Sequence, residues 1–408
     1  MHVLAISQYF PPDLGGGSRR AANTLRGLKR RGHKITVITA FPHYPLGNVP
    51  AAYKGKALVH ESFDEMNIIR VWTPSIAHGG FLSRLFLYLV FSFSALMALP
   101  FASKIDIIWA ANTNIFSSIP GVIFSIFKRK PLVRNVDDLW PETAVEEGFM
   151  KSGFLLRFGK ALAKLAYLLC NGITPISQSY VNHISNKYGI SKQKFRVIEH
   201  GVDTDIFRPL PANKLLIDPR CNRKFVVMYS GILGPGYNFN LLINAAEILS
   251  DDNNILIVIR GFGERDGELR DLIRKKRLEN VLVLTNFLEL EELVQVLSSA
   301  DLLLLPMMPL KAHEAGIPTK LFEYMAVRKP IIVSSAGEPA ELVKRIGAGI
   351  VSNNDPSDLA RIIKELQANQ RMQKNLAQNG YNYVQNFLSL EKIGLRMEEF
   401  FNLIIKKA

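Results

Sequence analysis

Between Lys311 and Ala326 the chain reads Lys-Ala-His-Glu-Ala-Gly-Ile-Pro-Thr-Lys-Leu-Phe-Glu-Tyr-Met-Ala, and the apolar run Pro330-Ile-Ile-Val333 follows. A Gly/Pro turn carrying Glu314 and Lys320 opens a helix that carries Glu323, and a buried strand comes next. A helix N-terminus gathers unpaired N–H groups and a partial positive charge, which suits a phosphate. A carboxylate one turn inside such a helix can accept two hydrogen bonds from a ribose diol. Phosphate and ribose side by side are the recognition problem that a nucleotide sugar poses.

A second anion-suited stretch, Gln8-Tyr-Phe-Pro-Pro-Asp-Leu-Gly-Gly-Gly-Ser-Arg-Arg20, stands between an apolar strand, Val3–Ser7, and a helix over 21–31. Gly16 and Gly17 let the backbone approach a ligand, and Arg19 adds a cation beside the helix start. A plain turn is the simpler alternative. The loop is too long for the dinucleotide fingerprint Gly-x-Gly-x-x-Gly, and the second strand ends Ile38-Thr-Ala40 without an acidic ribose ligand.

Rival chemistries find little support. The eight histidines show no metal-ligand spacing, and Cys170 and Cys221 are too few and too far apart for a disulfide framework, so a reducing cytoplasm fits. No Gly-x-Ser-x-Gly nucleophile turn and no Walker phosphate loop occur. Asp137 and Glu142 could form a hydrolytic carboxylate pair, but Trp140-Pro141 between them argues for a loop that packs or binds.

These residues need a scaffold, and its pattern is strand, helix, strand. Lys34–Thr39, Ile68–Trp72, Ile105–Trp109, Leu132–Val136, Gly172–Pro175 and Phe195–Ile198 are further strands of a first half. Helices are expected near 85–103, 115–127, 152–170 and 178–187. A linker begins near Val197, and a second series of strands runs from Phe225–Ser230 to Gly349–Val351. This order predicts an α/β fold built from doubly wound parallel sheets, used twice. The N-terminal residues read as a strand rather than a signal peptide.

Charge is uneven. Residues 1–205 carry 24 Lys and Arg against 13 Asp and Glu, whereas the remainder carries 26 against 23. A basic half implies an anionic partner or simply a solvated basic surface. Leu85 to Ser103 contains no charged residue. It suits a core helix, a membrane-dipping helix or, least well because Pro100 and a strand follow, a membrane span. Arg84, Lys104 and Lys128-Arg-Lys130 could meet anionic headgroups. The basic residues are scattered and no recognition module for nucleic acid is evident.

Four stretches in order carry a family resemblance: Tyr9-Phe-Pro-Pro-Asp-Leu-Gly-Gly with the following Arg, Leu28-Lys-Arg-Arg-Gly-His33, His200-Gly-Val-Asp-Thr-Asp-Ile-Phe-Arg-Pro209, and the Glu323 helix. Together they resemble glycosyltransferase family 4. Asp138-Leu-Trp-Pro-Glu142 is similar to a subgroup that builds cell-surface polysaccharides and lipid-linked glycans. The resemblance implies a GT-B fold, two Rossmann-like domains facing across a cleft. The boundaries expected are 1–205 for an acceptor domain, 206–385 for a donor domain, and 386–408 for a helix crossing back to the first domain. It also implies a nucleoside-diphosphate-sugar donor, retention of anomeric configuration, no cofactor and no bound metal.

Carried over by position, Glu323 holds the donor ribose and backbone amides around Gly316, Pro318, Thr319, Lys320 and Leu321 face the diphosphate. Ala315 stands where the family has its first paired glutamate, so Glu314 substitutes as the group contacting the donor sugar. Asp137 stands where a histidine is usual and could meet a donor-sugar hydroxyl. The family's phosphate loop commonly reads Gly-Arg…Lys-Gly, whereas Gly231-Ile-Leu-Gly-Pro-Gly-Tyr places Ile232 and Tyr237 at the cationic positions. Lys320, Arg19 and Arg260 of Arg260-Gly261-Phe-Gly are the candidates to supply the charge that a leaving diphosphate needs. The activity expected is sugar transfer to a glycan acceptor by a cytoplasmic enzyme; the basic first half and the 85–103 stretch favour a polyprenyl-phosphate-linked acceptor and peripheral association with the anionic inner membrane face. A nucleotide-sugar epimerase or a catalytically weak binding scaffold are the alternatives.

Overall fold

The computed structural model describes residues 1–44, 47–76, 81–111, 115–116, 118–148, 150 and 153–408. In chain order the first elements are β1 (His2–Ser7), α1 (Gly16–Arg30), β2 (Lys34–Ala40), β3 (Leu58–Phe63), β4 (Met66–Val71), α2 (Phe81–Leu96), β5 (Ile107–Ala111), α3 (Ser118–Lys128), β6 (Leu132–Val136), α4 (Glu142–Glu146), α5 (Phe154–Leu169), β7 (Gly172–Pro175) and α6 (Gln178–Tyr188). There follow β8 (Phe225–Ser230), α7 (Phe239–Ile248), β9 (Ile255–Arg260), α8 (Asp266–Lys276), β10 (Val281–Leu284), α9 (Leu290–Ser299), β11 (Leu302–Pro306), α10 (Lys311–Ala315), α11 (Thr319–Ala326), β12 (Ile331–Ser334), α12 (Gly337–Ile346), β13 (Gly349–Ser352), α13 (Pro356–Ala368), α14 (Gln370–Tyr383) and α15 (Leu390–Lys407).

The chain forms two units: residues 1–201 with 390–408, and residues 202–389. The first holds a seven-stranded sheet in the order β3-β4-β2-β1-β5-β6-β7. Its central strands are apolar on both faces, as a sheet covered by helices requires. Among the described residues only β3 runs antiparallel, paired with β4. The turn that joins them places Asp64 and Glu65 at φ 48° and 56°. That is the type I′ conformation that glycine or asparagine normally signals. Without a glycine there, the sequence does not announce this hairpin.

Other expectations shift too: the helix expected near 85–103 runs over Phe81–Leu96, and the strand expected at Ile105–Trp109 is Ile107–Ala111. The segment over 195–198 makes a single bridge, Phe195 with Ile173, and not a strand. Helix α1 starts at Gly16 rather than at residue 21, directly after Gly15 at φ 104°. Gly16, Gly17 and Arg19 therefore occupy the first turn and a half of the helix and not a loop before it. The helix α15 packs on α1 where Gly27 and Gly394 meet: a Cβ on Gly394 would lie 2.3 Å from the Gly27 carbonyl oxygen. Further along, Phe400 and Ile404 fill the space that Gly172 of β7 leaves open.

The second unit has six strands, all parallel, in the order β10-β9-β8-β11-β12-β13. Strand order reverses between β8 and β11, and there the pairing is short: Leu302 with Val227 and Leu303 with Met228. Beyond those pairs the two strands part toward their C-terminal ends. In open α/β sheets ligands bind at such a reversal.

Candidate functional site

The divergence of β8 and β11 is bridged by a side chain. Tyr324 of α11 is buried, and its hydroxyl accepts from Ser230 N and donates to Ser230 O, both at 2.9 Å. Those are the backbone groups on the side of β8 that β11 no longer reaches. The bond fixes α11 against the strand end just before Gly231. Leu321, Phe322 and Met325 bury the rest of the helix, leaving Thr319 and Lys320 half-exposed at its start. Pro318, at the N-cap, makes no side-chain cap, and no acidic residue lies in the first turn of the helix. Its N–H groups and positive dipole end are thus presented at the sheet reversal.

Lys320 points back over the β8 end. Its Nζ donates to Tyr229 Oη at 3.0 Å and lies 3.9 Å from the Tyr237 ring centroid. A Cβ on Gly231, whose φ is 156°, would stand 2.4 Å from that nitrogen. A cation from α11 therefore stands beside the Gly231 loop. Tyr229 is buried and its phenol is raised well above its ordinary value by burial, so it stays a neutral donor and acceptor.

The strand ends beside it are tightly juxtaposed. A Cβ on Gly261, at φ 138°, would fall 1.7 Å from the Gly231 carbonyl oxygen. Arg260, nearly buried, donates from Nη2 to Asn286 O at 2.7 Å, which ties β9 to the loop after β10. Burial draws its guanidinium below the ordinary value, with Glu292 opposing. The expected Gly/Pro turn is in part a separate short helix, α10, ending at Gly316. Glu314 lies on it, its carbonyl 2.2 Å from where a Cβ on Gly337 would be, so α10 sits on the start of α12. Glu323 is buried one turn into α11. Gly231, Gly261, Gly316, Pro318, Thr319, Lys320, Leu321, Glu323 and Glu314 thus all lie at or just beyond the C-terminal ends of the parallel strands.

The first unit holds a different cluster. Arg20, in α1, is buried, and its guanidinium reaches Asp137 Oδ1 at 2.5 Å, Asn135 Oδ1 at 2.7 Å, Ile198 O at 2.8 Å and His200 Nδ1 at 3.0 Å. Asn135 Nδ2 also donates to Asp137 Oδ1, at 2.8 Å. Burial raises the Asp137 carboxyl, with Arg20 and then Asn135 opposing. Both bonds go to Oδ1, so this side chain is held by the fold at the end of β6. Glu142 is engaged elsewhere: it pairs with Lys187 and accepts from Tyr188 Oη at 2.8 Å. Trp140 meets Phe116 edge to face, with ring centroids 5.4 Å apart. Gly16, Gly17 and Arg19 stand at the start of α1, in the same unit as this cluster, whereas Gly231, Lys320 and Glu323 belong to the second unit.

The sequence does not mark Arg20, Asn135, Tyr229 or Tyr324. Arg20 reads as one more surface cation, and nothing local distinguishes a tyrosine that ties a helix to a strand from one that fills a core.

The Glycosyltransferase Family 4 model matches residues 14–206, and the Glycosyl transferases group 1 model matches residues 218–383. An uncharacterized glycosyltransferase of Methanocaldococcus jannaschii is 23% identical over 379 residues, covering 88% of this chain and 87% of its own. The amylovoran biosynthesis glycosyltransferase AmsK of Erwinia amylovora is 25% identical over 48% of this chain and 47% of its own, so the chain spans about half of that relative. The fold is shared with Anabaena HepE in complex with UDP, at a TM-score of 0.72 and 18% identity, covering 99% of this chain and 100% of that one. Two parallel-sheet domains of the GT-B kind, each matched by its own family model, make this chain a member of the glycosyltransferases, with a family 4 domain followed by a group 1 domain.

Proposed function

We propose that this glycosyltransferase moves a sugar, with retention of configuration, from a nucleoside-diphosphate sugar to a glycan acceptor in cell-surface polysaccharide or glycoconjugate synthesis. The observation that carries the donor assignment is the meeting of the α11 N-terminus, Lys320 and Glu323 at the sheet reversal beside Gly231. In this reading Glu323 accepts from the ribose diol, the Thr319 and Lys320 amides with the Lys320 ammonium receive the diphosphate, and Glu314 meets the donor sugar. HepE has been crystallised with UDP and with UDP-glucose, which makes a uridine diphosphate sugar the first donor to try. AmsK, named for amylovoran biosynthesis, supports a polysaccharide pathway.

The reaction needs no side chain to change oxidation state or form a covalent intermediate. The bond from the anomeric carbon to the diphosphate oxygen breaks, the acceptor hydroxyl oxygen bonds to that carbon from the same face, and the departing phosphate oxygen takes the hydroxyl proton. Positive charge and amide donors at the diphosphate lower the barrier by stabilising the leaving group. Asp137, oriented through Oδ1 by Arg20, has Oδ2 as the atom that would meet a sugar hydroxyl. The basic first unit favours a polyprenyl-phosphate-linked acceptor, and with it peripheral association with an anionic membrane face. Among the described residues no helix is long and apolar enough to cross a membrane.

The test is a thermal-shift comparison of UDP, GDP, dTDP and CMP with their sugars, with and without EDTA. One diphosphate series should raise the melting temperature, insensitive to EDTA. Glu323→Ala should abolish that rise while leaving the ligand-free melting temperature within about 2 °C; an unchanged ligand response would remove Glu323 from the donor site. Binding without turnover would favour a scaffold, and conversion of the donor with no acceptor present would favour an epimerase.

A further inference from the structure

Three helices of the first unit form one layer, because α3 packs against both α2 and α5. Its solvent side is apolar. On α2 and the turn after it, Leu82, Phe86, Phe93 and Met97 follow one another at spacings of four, seven and four, and all are exposed. On α5 the exposed residues Phe154, Phe158, Leu165 and Leu169 repeat the same spacing. Each set is a single stripe of a 3.6-residue helix, turned away from the sheet. Ile126 and Phe127 of α3 are exposed as well, with Phe127 at 70%. Among the described residues, 13 of the 21 exposed large hydrophobic residues fall between residues 82 and 169. Scattered exposed apolar residues are ordinary, but a contiguous patch of this kind marks an interaction surface.

The charges on the layer are of one sign. The three helices carry Arg84, Lys128, Arg157, Lys160 and Lys164 and no Asp or Glu. Where α3 ends, Lys104, Lys128 and Lys130 line an open pocket of about 310 Å³, together with Asp106. Phenylalanine and leucine between lysines and arginines are the composition of helices that lie in a bilayer interface. Basic side chains are drawn to anionic headgroups as apolar ones enter the acyl boundary. A second copy of the chain fits less well, since a two-fold interface would set this basic face against itself.

We infer that the layer formed by α2, α3 and α5 is the face that docks on an anionic lipid bilayer. The apolar stripes enter the acyl boundary, and the Lys104, Lys128 and Lys130 pocket receives lipid phosphate. The inference rests on the proposal that the enzyme works at a membrane, and it names the surface that makes the contact.

Co-sedimentation of the full chain with phosphatidylglycerol-containing and with pure phosphatidylcholine vesicles tests it. The wild type should sediment with the anionic vesicles, and less as salt rises. The triple variant Phe93→Ser, Phe127→Ser, Phe158→Ser should partition at least about tenfold more weakly, with its ligand-free melting temperature retained. Lys104→Gln, Lys128→Gln, Lys130→Gln should lose the preference for phosphatidylglycerol. Phe287→Ser with Phe387→Ser, exposed in the second unit, should bind like the wild type. Undiminished vesicle binding by the triple serine variant overturns this face while sparing the membrane reading. No vesicle binding by the wild type overturns both. A wild-type dimer that the serine variant makes monomeric, without vesicle binding, makes the layer a self-association interface instead.

Discussion

Each unit places a cationic side chain near the C-terminal ends of its parallel strands, and the two are held in opposite ways. Arg20 is gripped by a carboxylate, an amide, a backbone carbonyl and a histidine ring, so that α1, the end of β6 and the segment over 198–200 are fastened together. Lys320 rests on a phenol hydroxyl and a ring face, beside a glycine with no side chain to keep a ligand away. An ion pair holds a guanidinium by opposite charge, and an aromatic face attracts an ammonium through its ring quadrupole. Arg20 thus fastens three segments of its unit, whereas Lys320 lies over two aromatic rings at the strand end where the donor is proposed to bind.

The largest effect expected at either place is from Gly261→Ala. With 1.7 Å between the new Cβ and the Gly231 oxygen, the ends of β8 and β9 must part. A loss of about 4 kcal/mol or more in chemical denaturation, with loss of nucleotide response, is expected. A variant as stable as wild type would mean that the two strand ends can separate at little cost.

Next comes Arg20→Met, which leaves Asp137 without its cationic partner in a buried site. Breaking such a pair costs about 3–5 kcal/mol. The double variant Arg20→Met, Asp137→Leu should recover part of that loss, and a double-mutant cycle reads the coupling. Additive losses would dissolve the network reading. Lys320→Met should behave in the opposite sense: stability within about 1 kcal/mol of wild type, but affinity for the nucleoside diphosphate down by about thirtyfold, measured by calorimetry, which corresponds to about 2 kcal/mol. Equal affinity would erase the distinction between the two cations.

The last effect is one of pH and concerns Glu142, another internally matched charge of the first unit. Burial alone would raise its carboxyl, but Lys187, the Tyr188 hydroxyl and the neighbouring His183 ring overcome that and bring it down to about 2. A carboxylate held below its ordinary value contributes stability that is whole above the unfolded-state value and lost as pH falls through the folded one. That window runs from about 4.5 down to about 2. Glu142→Gln should therefore be less stable than wild type at neutral pH, with the gap closing across the window in acid denaturation. A gap independent of pH would assign the loss to packing.

Much of the fold is legible in the residues alone. Strands such as Lys34–Ala40 and Leu302–Pro306 are runs of apolar residues bounded by turn residues, and helices such as Pro356–Ala368 repeat apolar positions at helical spacing. The true start of α1 is hidden because three successive glycines read as loop, although glycine with no preceding side-chain cap can still enter a helix. The hairpin of β3 and β4 is hidden because Asp64-Glu65 takes a conformation that its residue types do not announce.

The sequence by itself determined the two parallel-sheet domains and the run around Glu323, because periodicity and helix-start chemistry act between near neighbours. Only the tertiary structure decided which partners each charged and polar group meets. Arg20 meets Asn135 across 115 positions, and Tyr324 meets Ser230 across 94. Such partners are chosen by where folding brings distant segments together. A buried polar group must be matched by whatever arrives beside it.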